Sequence, residues 1–264
     1  MHASAGFRLA RAGVTFAGRA ALAGVDLEIR PGEALALVGP SGSGKTTLLR
    51  LLNAALLPSA GTVEIDGRSL DGIAPAALRD LRARIGFVHQ DLCLVPNVRV
   101  LSNVLAGKLG QQGLGASLRS LLLRPRAEIE HVARVLERVG IGDKLFQRTD
   151  SLSGGQRQRV ALARALFQEP RALLADEPVS AVDPARARSM VELLAEVSRE
   201  RGLTLVVSLH DIALAREFFP RLVGLRGGRV VFDRLTGEVG PDELEKLYAL
   251  EGLELGDDGH ERAP

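Results

Sequence analysis

Gly39-Pro-Ser-Gly-Ser-Gly44-Lys45-Thr46 stands between a short apolar run, Ala34 to Val38, and a helix-forming stretch that starts at Lys45. The spacing, Gly-x4-Gly-Lys-Thr between a strand and a helix, is that of a phosphate-binding P-loop. Glycine allows the backbone to curl so that its N–H groups converge on one point. The following helix adds the positive end of its dipole at the same place. The residues read as lining this cradle are Gly39, Pro40, Ser41, Gly42, Ser43, Gly44, Lys45, Thr46 and Thr47. Lys45 is expected to reach the β- and γ-phosphates of a nucleoside triphosphate, and the Thr46 hydroxyl to ligate Mg²⁺.

The second half of such a site is Ala172-Leu-Leu-Ala-Asp176-Glu177. Four small or apolar residues predict a buried strand, and Asp176 at its end can hold the Mg²⁺ shell. Glu177 stands beside it, where it can polarise an attacking water as general base. An apolar run ending in Asp is common by itself; with a P-loop upstream and a second carboxylate adjacent, it specifies a triphosphatase.

Leu152-Ser153-Gly154-Gly155-Gln156 narrows the reading further. It precedes a helical pattern, Arg157 to Phe167, so Ser153, Gly154, Gly155 and Gln156 would form a second anion site at a helix start. One chain with one triphosphate already has its cradle at 39–47. A second anion site makes sense if it covers the nucleotide of another copy.

These motifs resemble those of the ABC ATPases, whose signature is Leu-Ser-Gly-Gly-Gln, and the resemblance covers roughly residues 7–235. It implies roles for further residues. Gln90 resembles the Q-loop glutamine, at the junction of core and helical sub-domain, which contacts Mg²⁺ and water. His210 resembles the switch histidine that contacts the γ-phosphate. Ser180-Ala-Val-Asp183 resembles the D-loop at the dimer interface, with Val182 where Leu is usual. Phe16 resembles the aromatic that stacks on adenine, where Tyr is commoner. The resemblance implies ATP and Mg²⁺ as cofactors and a second copy in an ATP-sandwich dimer. It also implies transmembrane permease subunits, and a periplasmic or lipid-anchored substrate-binding protein acting through them.

Composition is compatible with this. A net charge of +2 gives no global basic field, and aromatics at 3% leave no base-stacking platform, so nucleic acid is not an expected partner. No apolar run reaches the roughly 18 residues of a membrane span. The N-terminus lacks a signal-peptide core. The chain is therefore expected in the cytoplasm, and the resemblance implies a peripheral place at the cytoplasmic face of the inner membrane. Cys93, the one cysteine, reads as a small apolar residue. His89 reads as a surface residue. His2, His131 and His260 lack ligand-like spacing, and no transition-metal site is expected.

The expected fold is an α/β P-loop NTPase core with an N-terminal antiparallel β sub-domain and an inserted helical sub-domain. One domain spans 7–250, with core at 7–90 and 151–235, the insert at 91–150, and a polar tail at 251–264. Val25, Leu27 and Ile29 alternate with Asp26 and Glu28, as in a half-buried strand. A helix is predicted from Lys45 to Leu57. In the insert, Ile129, Val132, Val135, Leu136 and Val139 fall on one helical face, with Gly140 as a stop. Pro184 opens a helix running to Gly202, Leu203 to Ser208 is a strand, and Gly227-Gly228 is a hairpin turn. The Gly-, Ser- and Leu-rich stretch 110–123 is not assigned.

The transported solute is legible only through resemblance. Leu94-Val-Pro-Asn-Val-Arg-Val-Leu-Ser-Asn-Val-Leu-Ala-Gly107-Lys-Leu-Gly110, the segment with Ser120-Leu-Leu, and Leu174-Ala-Asp-Glu-Pro-Val179 are similar to the phosphonate-import ATPases. So are Val207-Ser-Leu-His-Asp211, Gly224-Leu-Arg-Gly-Gly-Arg-Val-Val-Phe-Asp233 and Glu245-Lys-Leu-Tyr248. This implies uptake of phosphonates or a related phosphorus oxyanion. The alternatives are an importer for another solute such as methionine or a polar amino acid, a lipoprotein-release or export ATPase, and a non-transport ABC protein. The last usually carries two cassettes or a long coiled-coil insert. A P-loop GTPase would need an Asn-Lys-x-Asp motif, which is absent.

Overall fold

The computed structural model describes residues 4–110, 125–179 and 183–248. Its centre is a six-stranded sheet in the order β10-β9-β3-β8-β7-β6. The strands are β3 (Ala34–Val38), β6 (Ile85–Val88), β7 (Ala172–Asp176), β8 (Thr204–Leu209), β9 (Arg221–Arg226) and β10 (Arg229–Leu235). All neighbours pair in parallel except β9 and β10, the hairpin closed by Gly227-Gly228. A second, antiparallel sheet orders β2 (Arg19–Ile29), β1 (Phe7–Phe16), β4 (Ala60–Ile65) and β5 (Arg68–Ser69).

The parallel strands are buried on both faces, which explains why they read as apolar runs without alternation. Adjacent residues then feed opposite cores. Leu35 and Leu37 join Val25, Leu27 and Ile29 of the antiparallel sheet and the apolar face of α1 (Lys45–Leu52). Ala36 and Val38 face the other core, with α5 (Gly154–Phe167), α6 (Pro184–Arg201) and the helices of the 91–150 segment. Of the latter, α3 (Val100–Leu105) buries four apolar residues, and α4 (Arg126–Arg138) buries Val132, Val135 and Leu136. Gly140 follows α4 at φ 74° and turns the chain. Further α-helices among the described residues are α2 (Pro75–Ala83), α7 (Ile212–Phe218) and α8 (Pro241–Tyr248).

Two helices differ from the sequence expectation. The helix expected to run to Leu57 ends at Leu52. Asn53 bonds through its side chain to the Ala55 N–H, and Ala54 adopts φ 56°, so an Asn-based turn ends the helix before its apolar residues run out. The helix expected from Arg157 starts at Gly154, because Ser153 and Gln156 form a reciprocal capping box. Most of the unassigned 110–123 stretch, the segment with Ser120-Leu-Leu, and the 251–264 tail lie outside the described residues.

Candidate functional site

Strand register brings the motif residues to one edge. Val38 pairs with Leu209, Asp176 with Ser208, and Val88 with Ala175. The carboxyl ends of β3, β8, β7 and β6 therefore lie side by side, and the segments leaving them carry the P-loop, His210, Glu177 and Gln90 respectively. Ligand sites of open parallel sheets form at such carboxyl ends.

The loop after β3 needs its glycines. Gly39 has φ 148°, and a Cβ there would sit 2.1 Å from the Leu225 carbonyl oxygen. Gly44, at φ 106°, precedes α1 and packs within 2.9 Å of the Ala21 carbonyl oxygen by the same measure. The Lys45 side chain curls back into the loop and donates to the carbonyl oxygens of Gly39 (2.8 Å) and Pro40 (3.0 Å). An ammonium has three donors, so one more partner can be served. Lys45 is 4% exposed, and burial pushes its pKa down against the opposing pull of Glu177 and Asp176. The Ser43 hydroxyl is buried in the same loop without a hydrogen-bond partner. A buried polar group of this kind is costly unless a ligand or water satisfies it.

Thr46 and Asp176, 130 residues apart, meet directly: the Thr46 hydroxyl lies 3.1 Å from Asp176 Oδ1. Ser208 donates to the same oxygen at 2.9 Å and accepts from the Glu177 N–H at 2.8 Å. Ser208 thus locks both acidic residues to β8. A hydroxyl and a carboxylate, both hard oxygen donors, suit Mg²⁺.

Glu177 sits at φ 44°, an unusual backbone for a non-glycine residue, and its Oε1 is 2.5 Å from His210 Nε2. It borders two clefts. One, of about 280 Å³, is lined by Ala20, Ala21, residues 42–47 and Gly227-Gly228. The other, of about 210 Å³, is lined by Val179, Pro184, Leu209, His210 and Asp211 among others.

Ser153, Gly155 and Gln156 line a third cleft of about 230 Å³, with Arg159, Arg186 and Ser189. It shares no lining residue with the P-loop cleft. Ser153 caps α5: its hydroxyl accepts from the Gln156 N–H, and Gln156 Oε1 accepts from the Ser153 N–H at 3.0 Å. Gly154 lies in the first turn. The helix is tied to the loop after Glu177 by Gln158, which donates to the Pro178 carbonyl at 2.9 Å.

The other expected site residues are placed as follows. Gln90 is exposed, two residues beyond β6. Asp183 caps α6 by accepting from the Arg186 N–H; Ser180 and Val182 lie outside the described residues. Phe16 ends β1, is 48% exposed, and does not line the P-loop cleft. Cys93 does not behave as an apolar filler: it is exposed, with Sγ 2.9 Å from Asp91 Oδ1. His89, expected at the surface, is half-buried against Phe87 at 4.4 Å between ring centroids, and burial lowers its pKa. Ser208 was not foreseen. A serine in an apolar strand carries no signal until register shows which carboxylate it faces. Among the described residues no helix is long and apolar enough to cross a membrane.

Comparison with known proteins places the chain in a family. The family profile described as ABC transporter matches residues 22–180. The phosphonates import ATP-binding protein PhnC 2 of Pseudomonas aeruginosa is 51% identical over 237 residues, covering 90% of this chain and 88% of that protein. The phosphonates import ATP-binding protein PhnC of Pseudomonas fluorescens is 48% identical, covering 89% and 88%. Among solved structures, cbiO1 of Clostridium perfringens, part of the ABC transporter complex cbiONQ, superposes with a TM-score of 0.76 at 29% identity. That match covers 91% of this chain and 92% of cbiO1. The dimeric bacterial ABC transporter cassette MJ0796 gives 0.76 at 32% identity, covering 87% and 98%.

Proposed function

The chain belongs to the ABC transporter family as an ATP-hydrolysing subunit, and from that premise we propose that it powers uptake of phosphonates or a related phosphorus oxyanion through a separate permease. The observation that carries the catalytic reading is the Thr46–Asp176 contact. It joins the phosphate loop to the acidic strand end at the point where a triphosphate would lie. The substrate reading rests on the relatives of about half identity whose names specify phosphonate import.

In this reading ATP lies with its phosphates in the 39–47 loop. The backbone N–H groups and Lys45 cradle the phosphates, and the orphaned Ser43 hydroxyl gains a partner. Thr46 and Asp176, with Gln90 from the next strand end, would hold Mg²⁺, whose charge neutralises the phosphate oxygens. Glu177 accepts the proton of the attacking water. His210, already paired to Glu177, holds that carboxylate in place and faces the γ-phosphate. Phe16 stacks on the base from the end of β1.

Ser153, Gly154, Gly155 and Gln156 serve the nucleotide of a second copy, which accounts for their separate cleft. Asp183 lies at the joint between copies. Closure on ATP and opening after hydrolysis would drive permease subunits, which receive solute from a periplasmic or lipid-anchored binding protein. The subunit would work at the cytoplasmic face of the inner membrane, as one domain over 7–250.

The test is growth of a strain lacking the gene, with a phosphonate as sole phosphorus source. Complementation by wild type but not by Glu177→Gln, with normal growth on phosphate, is expected. Undiminished phosphonate growth without the gene, in a strain with no second copy, would remove the substrate assignment.

A further inference from the structure

We propose that His89, Asp91 and Cys93 form a binding site for a divalent cation of the zinc class, separate from the nucleotide's Mg²⁺. Among the described residues these three side chains bring an imidazole nitrogen, a carboxylate oxygen and a sulfur within 4.8 Å of one another. Zinc binds such donors at about 2.0–2.3 Å, so tetrahedral ligands lie roughly 3.3–3.8 Å apart. Closing on an ion requires the most widely spaced of these donors to approach one another by at most about 1.5 Å. Its charges also fit: a thiolate, a carboxylate and a neutral imidazole balance a dication, with the fourth position left for water.

The donors follow one another at every second residue of the loop leaving β6, and that loop is held in shape before any ion arrives. Leu92 and Cys93 occupy consecutive left-handed conformations, at φ 58° and 46°. Arg164 of α5 fixes both, donating to the Leu92 carbonyl at 2.7 Å and the Cys93 carbonyl at 2.5 Å. The Cys93 sulfur is already directed at Asp91. A preformed loop loses little conformational freedom on binding. His89 is the inner ligand, half-buried against Phe87, while Asp91 and Cys93 are exposed and admit the ion from solvent. In the binding step the S–H bond breaks, its proton goes to buffer, and a sulfur–metal bond replaces it.

Cobalt titration of the full chain, followed by zinc displacement, tests the site. Cys93 is the one cysteine, so any thiolate-to-cobalt charge-transfer absorption is assignable to it. One equivalent of Co²⁺ is expected to produce that absorption, and Zn²⁺ to bleach it. Outer-sphere partners of metal ligands are worth about 10–100-fold in affinity, so loss of a ligand should cost at least ~100-fold. Cys93→Ser should abolish the absorption and weaken zinc binding to that degree. Asp91→Asn should keep the absorption and weaken binding by at least ~100-fold, as loss of a ligand requires. Both variants alter exposed side chains, and their metal-free unfolding curves should match wild type. No thiolate absorption, or zinc binding unchanged in Cys93→Ser, overturns the proposal.

Discussion

His210 holds its Nε2 2.5 Å from Oε1 of Glu177, and the two residues leave neighbouring parallel strands, β8 and β7. The carboxylate is therefore positioned from outside its own segment. Glu177→Gln keeps the side-chain shape and a hydrogen bond to His210 but removes the proposed proton acceptor. General-base catalysis contributes about 10²–10⁴-fold, and hydrolysis should fall by that factor. ATP affinity should stay within a few-fold, because the cradle is untouched. Single-turnover hydrolysis and equilibrium ATP binding, measured on the same preparation, separate the two effects. Wild-type turnover would remove Glu177 from the chemistry.

Ser208 bridges Asp176 Oδ1 and the Glu177 N–H. Ser208→Ala leaves that N–H without its partner, at a cost of about 1–3 kcal/mol. Turnover should drop by roughly tenfold as Glu177 loses its fixed backbone, and the Mg²⁺ concentration for half-maximal activity should rise as Asp176 loses its second anchor. Thr46→Ala should raise the Mg²⁺ requirement more, since it removes a proposed ligand. A Mg²⁺ titration unchanged in both variants would place the metal elsewhere.

Gly39 can be no other residue. Its φ is 148°, and a Cβ at this position would come within 2.1 Å of the Leu225 carbonyl oxygen, which leaves no room for a side chain. Gly39→Ala should destabilise the protein by at least ~1–3 kcal/mol, displace β9 from β3, and abolish ATP binding. Gly42→Ala makes a useful contrast, because the space around Gly42 is open although its φ is 77°. It should retain more stability, as thermal unfolding would show.

How far the sequence was legible follows from these residues. β3 and β7 were readable because both faces of a central parallel strand demand apolar residues, and their ends announce themselves through Gly39 and Asp176. The order of strands was not readable, since pairing is a property of register between segments far apart in the chain. Ser208 shows the consequence: its partners are defined only by β7–β8 pairing. The start of α5 was legible as Ser153-x-x-Gln156, a capping box, but the adjacent glycines masked it. The exposed place of Cys93 had no sequence signal, because its loop is shaped by Arg164 from a distant helix.

The capping role of Ser153 can be separated from its proposed role toward a second copy's nucleotide. Loss of an N-cap costs about 1 kcal/mol, so Ser153→Ala should lower the unfolding temperature by a few degrees. Ser153→Asp preserves the cap, since aspartate is an equally good N-cap residue, but puts a negative charge where a phosphate is expected. It should unfold like wild type and fail to dimerise on ATP. Dimerisation of the Asp variant, read by size-exclusion chromatography with Glu177→Gln in the background, would contradict the sandwich arrangement.

Lys45 provides a pH test. Burial lowers its pKa from 10.5, so in the free protein the ammonium is lost at lower pH than for an ordinary lysine. A phosphate beside it favours the charged form and raises the pKa again. Between those two values the free protein is partly deprotonated and the complex is protonated, so ATP binding with a phosphate at Lys45 is expected to take up a fraction of a proton. The affinity should therefore fall as pH rises through that window, while below it affinity is insensitive to this group. The stability sign is opposite to that of a lysine that gains a partner. With the folded pKa below the unfolded one, the unfolded chain binds more protons in the window, and this group's contribution to stability rises with pH there. Calorimetric titrations of ATP in alkaline buffers of different ionisation enthalpy read the proton uptake directly. Lys45→Arg, which cannot deprotonate in this range, should abolish the uptake; uptake persisting in that variant would assign the proton to another group.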